Sequence, residues 1–166
     1  MSSIVISSIV SVDEKRGIGK TNKLPWDIPK DRKWFKEKTV GHVVIMGRNT
    51  FHSIVDFLGK PLPERTNIVV TSSPDQSSKD VHFVNNIEEA LELGKKLEKN
   101  GELFFIGGAK IYAASLPYVK RLYVTQIKGK FDCDALFPDY SEFKKVVFSE
   151  ENSDNGFDFT FKILEK

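Results

Sequence analysis

The sequence is poor in the residues that disulfide frameworks and metal centres need. Its one cysteine, Cys133, cannot form an internal disulfide and is typical of a protein of the reducing cytoplasm. The three histidines, His42, His52 and His82, have no mutual ligand spacing and no cysteine companions. We therefore expect a cytoplasmic location and no metal site.

The sequence also lacks an excess of charge of one sign and any long apolar run. The formal net charge is +2 and basic residues are dispersed among acids, so we expect no nucleic-acid binding. Residues 2–12 are apolar but few, β-branched and without basic residues before them, which predicts a buried strand rather than a signal peptide. No run reaches membrane-spanning length, and no long hydrophobic surface stripe is evident, which favours a monomer away from membranes.

The length and composition are those of one globular unit. A chain of 166 residues is long enough for one well-buried domain and short for two. Hydrophobic residues make up 40% and charged residues 29%, as expected of a soluble protein. Because no repeat, low-complexity tract or linker interrupts the sequence, we expect a single domain over residues 1–166.

Short β-branched runs alternate with helical stretches, which predicts an α/β fold with a largely parallel sheet. The predicted strands cover residues 4–12, 43–46, 66–71, 81–84, 103–106, 121–127, 145–150 and 157–164. The predicted helices cover residues 30–38, 50–55, 87–99 and 107–116, and the main loops cover residues 13–29, 55–63 and 72–80. Since the last three strands have no helix between them, they predict an antiparallel edge. The loop at residues 13–29 is long enough to suggest a functional role.

One carboxylate, Asp31, lies among aromatic and apolar residues at a predicted helix start. Pro29 pre-sets the turn, so the helix begins directly after it, with Asp31 in the first turn and Phe35 one turn further on the same face. With Leu24 and Trp26 as a roof, this arrangement suits a flat heterocycle with a polar edge, because a carboxylate accepts hydrogen bonds side by side. An acid that only favours the helix N-terminus through the macrodipole is equally consistent with this segment alone.

Five further segments occur in a characteristic order. They are residues 9–13 (IVSVD), 17–19 (GIG), 43–51 (VVIMGRNTF), 62–70 (LPERTNIVV) and 105–112 (FIGGAKIY). Together with the Asp31 segment, this series resembles dihydrofolate reductase over residues 4–164. The resemblance implies a three-layer α/β fold with a central, mostly parallel eight-stranded sheet, an antiparallel C-terminal edge and helices on both faces. It also implies NADPH-dependent reduction of 7,8-dihydrofolate to 5,6,7,8-tetrahydrofolate, with hydride passing from nicotinamide C4 to pterin C6 and a solvent-derived proton reaching N5.

The resemblance assigns a substrate site around Asp31. It implies that Asp31 pairs with the pteridine ring, that Thr125 hydrogen-bonds this acid, and that Trp26 and Leu24 complete the catalytic group under the loop at residues 13–29. Burial should raise the pKa of Asp31. Further substrate contacts are implied for Ile9, Val10, Phe35, Ile54, Leu62, Arg65 and Ile106. Of these, Arg65 is suited to hold the α-carboxylate of the glutamate tail, whereas Ile9 and Val10 read from the sequence alone as sheet core.

The resemblance also assigns a cofactor site. Arg48 follows Gly47 at a strand–helix junction and is implied to bind the adenosine 2′-phosphate of NADPH together with Ser72. Gly107 and Gly108 are implied to share a cis peptide bond before a helix start that binds the pyrophosphate. Other implied cofactor contacts are Ser11, Ile18, Gly19, Asn49, Thr50, Thr71, Ile106, Ala109, Lys110, Ile111 and Tyr112. From the residues alone, an exposed arginine and a simple tight turn stay open as alternatives.

Several features depart from the family pattern. Arg32 replaces what is often an apolar pocket residue, Ser11 a frequent alanine and Cys133 a glycine, and residues 55–59 lengthen a connection. Two other functions also stay open, a pyrimidine reductase of the riboflavin pathway and a nucleotide-binding module without catalysis. Trp26 with Asp31, and Arg65 for a glutamate tail, favour the folate assignment.

Overall fold

A computed structural model describes residues 3–19, 24–73 and 81–166, so part of each predicted loop at residues 13–29 and 72–80 lies outside the described residues. The strands are β1 (Val5–Val12), β2 (Gly17–Gly19), β3 (Val43–Gly47), β4 (Thr66–Val70), β5 (Val81–Val84), β6 (Glu102–Phe105), β7 (Arg121–Ile127), β8 (Ala135–Leu136), β9 (Lys145–Asp154) and β10 (Phe157–Glu165). The helices are α1 (Pro29–Thr39), α2 (Arg48–Leu58), α3 (Ile87–Leu97) and α4 (Ala109–Ser115), the last continuing into a 3₁₀ turn (Leu116–Tyr118). Across these ranges no helix is long and apolar enough to cross a membrane.

Eight strands form one sheet in the order β5-β4-β3-β6-β1-β7-β10-β9. All neighbours from β5 to β7 are parallel, whereas β10 is antiparallel to both β7 and β9. The predicted α/β class with an antiparallel C-terminal edge is therefore confirmed. The sequence did not predict β2 and β8, which pair in a separate two-stranded sheet and are too short for a periodic pattern.

Both faces of the sheet are covered by helices. Consecutive strand residues point to opposite faces, so Val44 belongs to one buried cluster and Ile45 to the other. Helices α3 and α4 cover the face of Ile45 through residues such as Leu91, and α1 and α2 cover the face of Val44 through residues such as Phe35. Burial on both faces explains why the parallel strands read as continuous apolar runs, and it confirms the three-layer architecture.

Helix α2 is longer than predicted. It begins at Arg48 rather than residue 50 and continues to Leu58, where Gly59 adopts φ +78° and its N–H donates to the Val55 carbonyl. A glycine in the left-handed region is a common helix end. The lengthened segment at residues 55–59 is therefore largely an extra helical turn, which leaves Phe57 67% exposed.

Two other boundaries differ for local reasons. Strand β9 continues beyond residue 150 to Asp154, because Asn155 (φ +51°) and Gly156 (φ +84°) form a two-residue hairpin turn. Helix α3 ends at Leu97 rather than residue 99, because Glu98 leaves the helix and its carboxylate accepts from the Val43 N–H at 2.7 Å.

Candidate active site

Asp31 lies where the helix signals predicted, in the first turn of α1. Its Oδ1 accepts a hydrogen bond from the Thr125 hydroxyl at 2.6 Å. Thr125 is 1% exposed on β7 and is paired in register with Ser11 on β1. The fold thus brings the acid together with the threonine that the resemblance assigned to it. By itself Thr125 carries no sequence signal beyond that of a good strand residue.

The environment of Asp31 favours its protonated form. Burial raises the pKa of this carboxyl above its ordinary value, while the Thr125 hydrogen bond and the positive charge of Arg32 oppose the rise. The nearby Ser11 hydroxyl also opposes the rise in the pKa, although it makes no hydrogen bond to any described residue. A carboxyl with a raised pKa beside an unpaired buried hydroxyl is suited to a polar ligand edge.

The two roof residues have different environments. Trp26 is 4% exposed and packs edge to face on Phe131, with ring centroids 5.3 Å apart. Its indole Nε1 is buried without a hydrogen-bond partner among the described residues. Leu24 is 52% exposed, so the cover that it was expected to provide over Asp31 stays a prediction. Arg32 turns outward to an exposed ion pair with Asp27.

Asp13 anchors the first part of the loop that precedes α1. Its Oδ1 accepts from the backbone N–H groups of Lys15 at 2.8 Å and Gly17 at 2.7 Å, and its Oδ2 accepts from Phe131 N–H at 2.9 Å. Burial raises the pKa of Asp13, but these backbone hydrogen bonds outweigh it, so the pKa is lowered. A Cβ on Gly17 would lie 2.6 Å from the Cys133 sulfur, so glycine is required there. Sequence reasoning missed Asp13, although an aspartate two residues before a turn is a known turn-forming signal.

The predicted substrate residues largely share one apolar wall. Ile9, Leu62 and Ile106 belong to a single buried cluster, and Phe35 and Ile54 pack against it. Val10 lies instead in the cluster on the opposite face of the sheet, because neighbouring residues of β1 alternate. The side chain of Val10 therefore packs in the sheet core, and its expected contact with the substrate stays a prediction.

Arg65 is held close to this wall with donors to spare. It is 8% exposed, and its Nε donates to the Pro63 carbonyl at 2.8 Å while Nη1 donates to the Thr39 hydroxyl at 3.2 Å. Its guanidinium carbon lies 5.9 Å from the centre of the Phe35 ring. Asn67 fixes the approach to β4 by donating to the carbonyls of Leu62 and Arg65. The remaining guanidinium donors fit a carboxylate.

Two helix starts meet at the carboxyl ends of β3 and β6. Gly47 precedes α2 and donates its N–H to the Gly107 carbonyl at 2.9 Å, and the Gly107–Gly108 peptide is cis, as the resemblance implied. A Cβ on Gly47 would lie 3.2 Å from Ile111, and one on Gly108 would lie 3.6 Å from the Thr50 hydroxyl. In the described residues neither helix has a side-chain cap or an acid in its first turn. Free N–H groups and close backbone approach suit the phosphates of a dinucleotide.

The other predicted cofactor residues lie on several elements. Arg48 is exposed in the first turn of α2 and its Nε donates to His52 Nε2 at 3.2 Å, while Thr71 and Ser72 follow the neighbouring strand β4. Tyr112 is buried in α4 and its hydroxyl donates to the Ile9 carbonyl at 2.8 Å. Asn49 lies in α2, and Ala109 and Lys110 open α4. Ile18 and Gly19 lie in β2, where the Gly19 carbonyl accepts from Asp134 N–H at 2.8 Å.

A buried acid and two glycine-flanked helix starts at the carboxyl ends of parallel strands form a ligand-binding site of an α/β protein. A family model for dihydrofolate reductase matches residues 5–166. The dihydrofolate reductase of Bacillus subtilis (strain 168) is 43% identical over 166 residues, covering 98% of this chain and 95% of that protein. The Staphylococcus haemolyticus enzyme is 39% identical over 165 residues, with 97% and 95% covered. This chain belongs to the dihydrofolate reductase family.

A solved structure supports the same assignment. Dihydrofolate reductase from Enterococcus faecalis, complexed with NADP(H) and RAB-propyl, has a TM-score of 0.85 at 32% identity. The match covers 97% of this chain and 95% of that one. The shared architecture therefore extends over nearly the whole molecule.

Proposed function

We propose that this chain reduces 7,8-dihydrofolate to 5,6,7,8-tetrahydrofolate with NADPH, by hydride transfer from nicotinamide C4 to pterin C6 and solvent-derived protonation of N5. The observation that carries the proposal is the hydrogen bond between Thr125 and Asp31 at the carboxyl ends of the parallel strands. Thr125 occupies Oδ1, and within the described residues Oδ2 is left for a ligand. A carboxylate presented in this way accepts from a ring N–H and an exocyclic amine together.

Asp31 holds and polarises the pterin, and burial raises the pKa of its carboxyl above the ordinary value. Ile9, Phe35 and Ile106 supply the apolar wall against which flat rings pack, and Arg65 holds the glutamate tail. We assign the proton at N5 to water, delivered under the loop that carries Leu24 and Trp26. Closure of this loop excludes bulk solvent while the substrate is bound.

The residues at the α2 and α4 starts fit a phosphate-bearing cofactor. NADPH, when bound, supplies the hydride. The glycines at 47, 107 and 108 admit its pyrophosphate to the free N–H groups, and Arg48 with Ser72 binds the 2′-phosphate that distinguishes NADPH from NADH. The chain performs this reaction as a single domain and as a monomer.

The test is the loss of NADPH absorbance when dihydrofolate is added, with NADH measured in parallel. We expect rapid turnover with a clear preference for NADPH. A folded sample that binds NADPH but does not oxidise it with dihydrofolate would contradict the proposal. The same assay with the pyrimidine substrate of riboflavin synthesis then separates a pyrimidine reductase from a binding module without catalysis.

A further inference from the structure

The helix start that carries Asp31 is hydrogen-bonded to a residue that is distant in the sequence. Ile28 occupies the N-cap position, and α1 has no side-chain cap of its own in the described residues. Instead the Lys30 N–H donates to Asp154 Oδ2 at 2.9 Å, from a residue 124 positions away. An acid in this place does what an N-cap side chain normally does and also complements the helix dipole.

The tip of the β9–β10 hairpin makes three hydrogen bonds at the start of α1, and the one accepted by Asp154 is the first of them. The amide Nδ2 of Asn155 donates to the Asp27 carbonyl at 2.8 Å, and the Lys30 ammonium donates to the Ser153 carbonyl at 3.3 Å. The tip is a two-residue turn in which Asn155 and Gly156 both have positive φ. Such a turn is tightly defined, so β9 and β10 present the acid and the amide in one arrangement.

We propose that residues 153–155 are a clamp that positions Asp31, with Asp154 and Asn155 as positioning residues for substrate binding. Thr125 holds the carboxyl of Asp31, and the clamp holds the backbone on either side of the helix start. Without the clamp, the first turn of α1 frays and the carboxyl spends less time in the position that meets the pterin. This inference rests on the proposed function.

The first test compares Asp154→Ala with Asp154→Asn. An asparagine still offers an oxygen to the Lys30 N–H, so its KM for dihydrofolate should stay within about twofold of the wild type. The alanine variant should raise this KM about fivefold and leave the KM for NADPH nearly unchanged, because the three hydrogen bonds of the clamp involve no residue of α2 or α4. Asp158→Asn is the matched control, since this acid lies on β10 of the same hairpin and is exposed.

The second test measures the effect of the clamp on the α1 start without relying on catalysis. Amide hydrogen exchange at residues 30–33 should be about fivefold faster in Asp154→Ala than in the wild type, and Asn155→Gly should increase it while keeping the turn. Thermal unfolding verifies that each variant is folded. Unchanged exchange and unchanged KM in the alanine variant would overturn the clamp, and so would a loss of kcat alone. A wild type that exchanges slowly at α1 but does not reduce dihydrofolate would instead overturn the proposed function.

Discussion

Each end of the parallel sheet carries a carboxylate near hydroxyl groups, but the two carboxylates differ in how many hydrogen-bond partners they have. At the carboxyl ends of the strands, the carboxyl of Asp31 accepts one hydrogen bond from the described residues, that of Thr125, and the nearby Ser11 hydroxyl makes none with them. At the amino ends, Glu102 accepts from Ser7 at 2.6 Å and from Tyr123 at 2.8 Å. It also forms an ion pair with Arg121 at 3.4 Å, which in turn pairs with Glu165 at 2.9 Å.

The difference shows how one fold separates function from stability. The Glu102 carboxylate is bonded by groups from β1 and β7, and with Glu165 the network links four strands, β1, β6, β7 and β10. Burial and the Glu102 carboxylate raise the pKa of Tyr123 to about 12, so its hydroxyl stays a donor. The Asp31 end keeps unused hydrogen-bonding capacity, which a bound ligand can satisfy.

The largest expected effect is the loss of turnover when Asp31 is replaced. Asp31→Asn should lower kcat at neutral pH by about a hundredfold or more, because an amide neither ionises nor polarises the pterin as a carboxyl does. Binding of NADPH and the circular dichroism spectrum should be unchanged. Steady-state kinetics and NADPH fluorescence titration measure these effects, and near-normal turnover would remove Asp31 from the mechanism.

Removing Glu102 at the amino ends of the strands should lower stability and leave turnover nearly unchanged. Glu102→Ala leaves Ser7, Tyr123 and Arg121 without a shared acceptor and should lower the free energy of unfolding by about 2 kcal/mol. Its kcat should stay within about twofold of the wild type, since the change lies at the other end of the sheet. Urea unfolding and steady-state kinetics check both statements. A variant as stable as the wild type would show that the network contributes little.

The role of Arg48 in cofactor binding should be measurable independently of Asp31. Arg48→Ala should weaken NADPH about tenfold and leave NADH nearly unchanged, because only NADPH carries the 2′-phosphate. Fluorescence titration with both cofactors measures the two dissociation constants. Equal losses for NADPH and NADH would make Arg48 a structural residue.

The smallest effect is on the pH dependence of stability. The folded state raises the pKa of Asp31 above the unfolded value of 3.8, so between these values the folded protein binds more protons. The contribution of Asp31 to stability therefore declines as pH rises through that window, and Asp31→Asn should gain relative stability at neutral pH. Thermal unfolding of both proteins at pH 4 and pH 7 measures the change. A difference that does not vary with pH would contradict it.

Local sequence signals predicted much of the fold and part of the site. Pro29 before Asp31, and the glycine pair after β6, predicted a helix start each, and both helices begin there. The contacts that organise the loops were not predictable in the same way. Asp13 reaches Phe131 across 118 positions and Asp154 reaches Lys30 across 124, and neither pair has a local pattern that connects its members.

The sequence by itself determined the α/β class, the parallel core strands and the helix that carries Asp31, because each depends on periodicity, β-branching or a proline within a few residues. Tertiary structure decided which polar groups are satisfied. It placed Thr125 on Asp31, the β9–β10 turn on the α1 start, and Val10 on the opposite face from Ile9. Hydrogen bonding and burial between distant segments depend on strand order and register, which emerge only when the whole sheet has assembled.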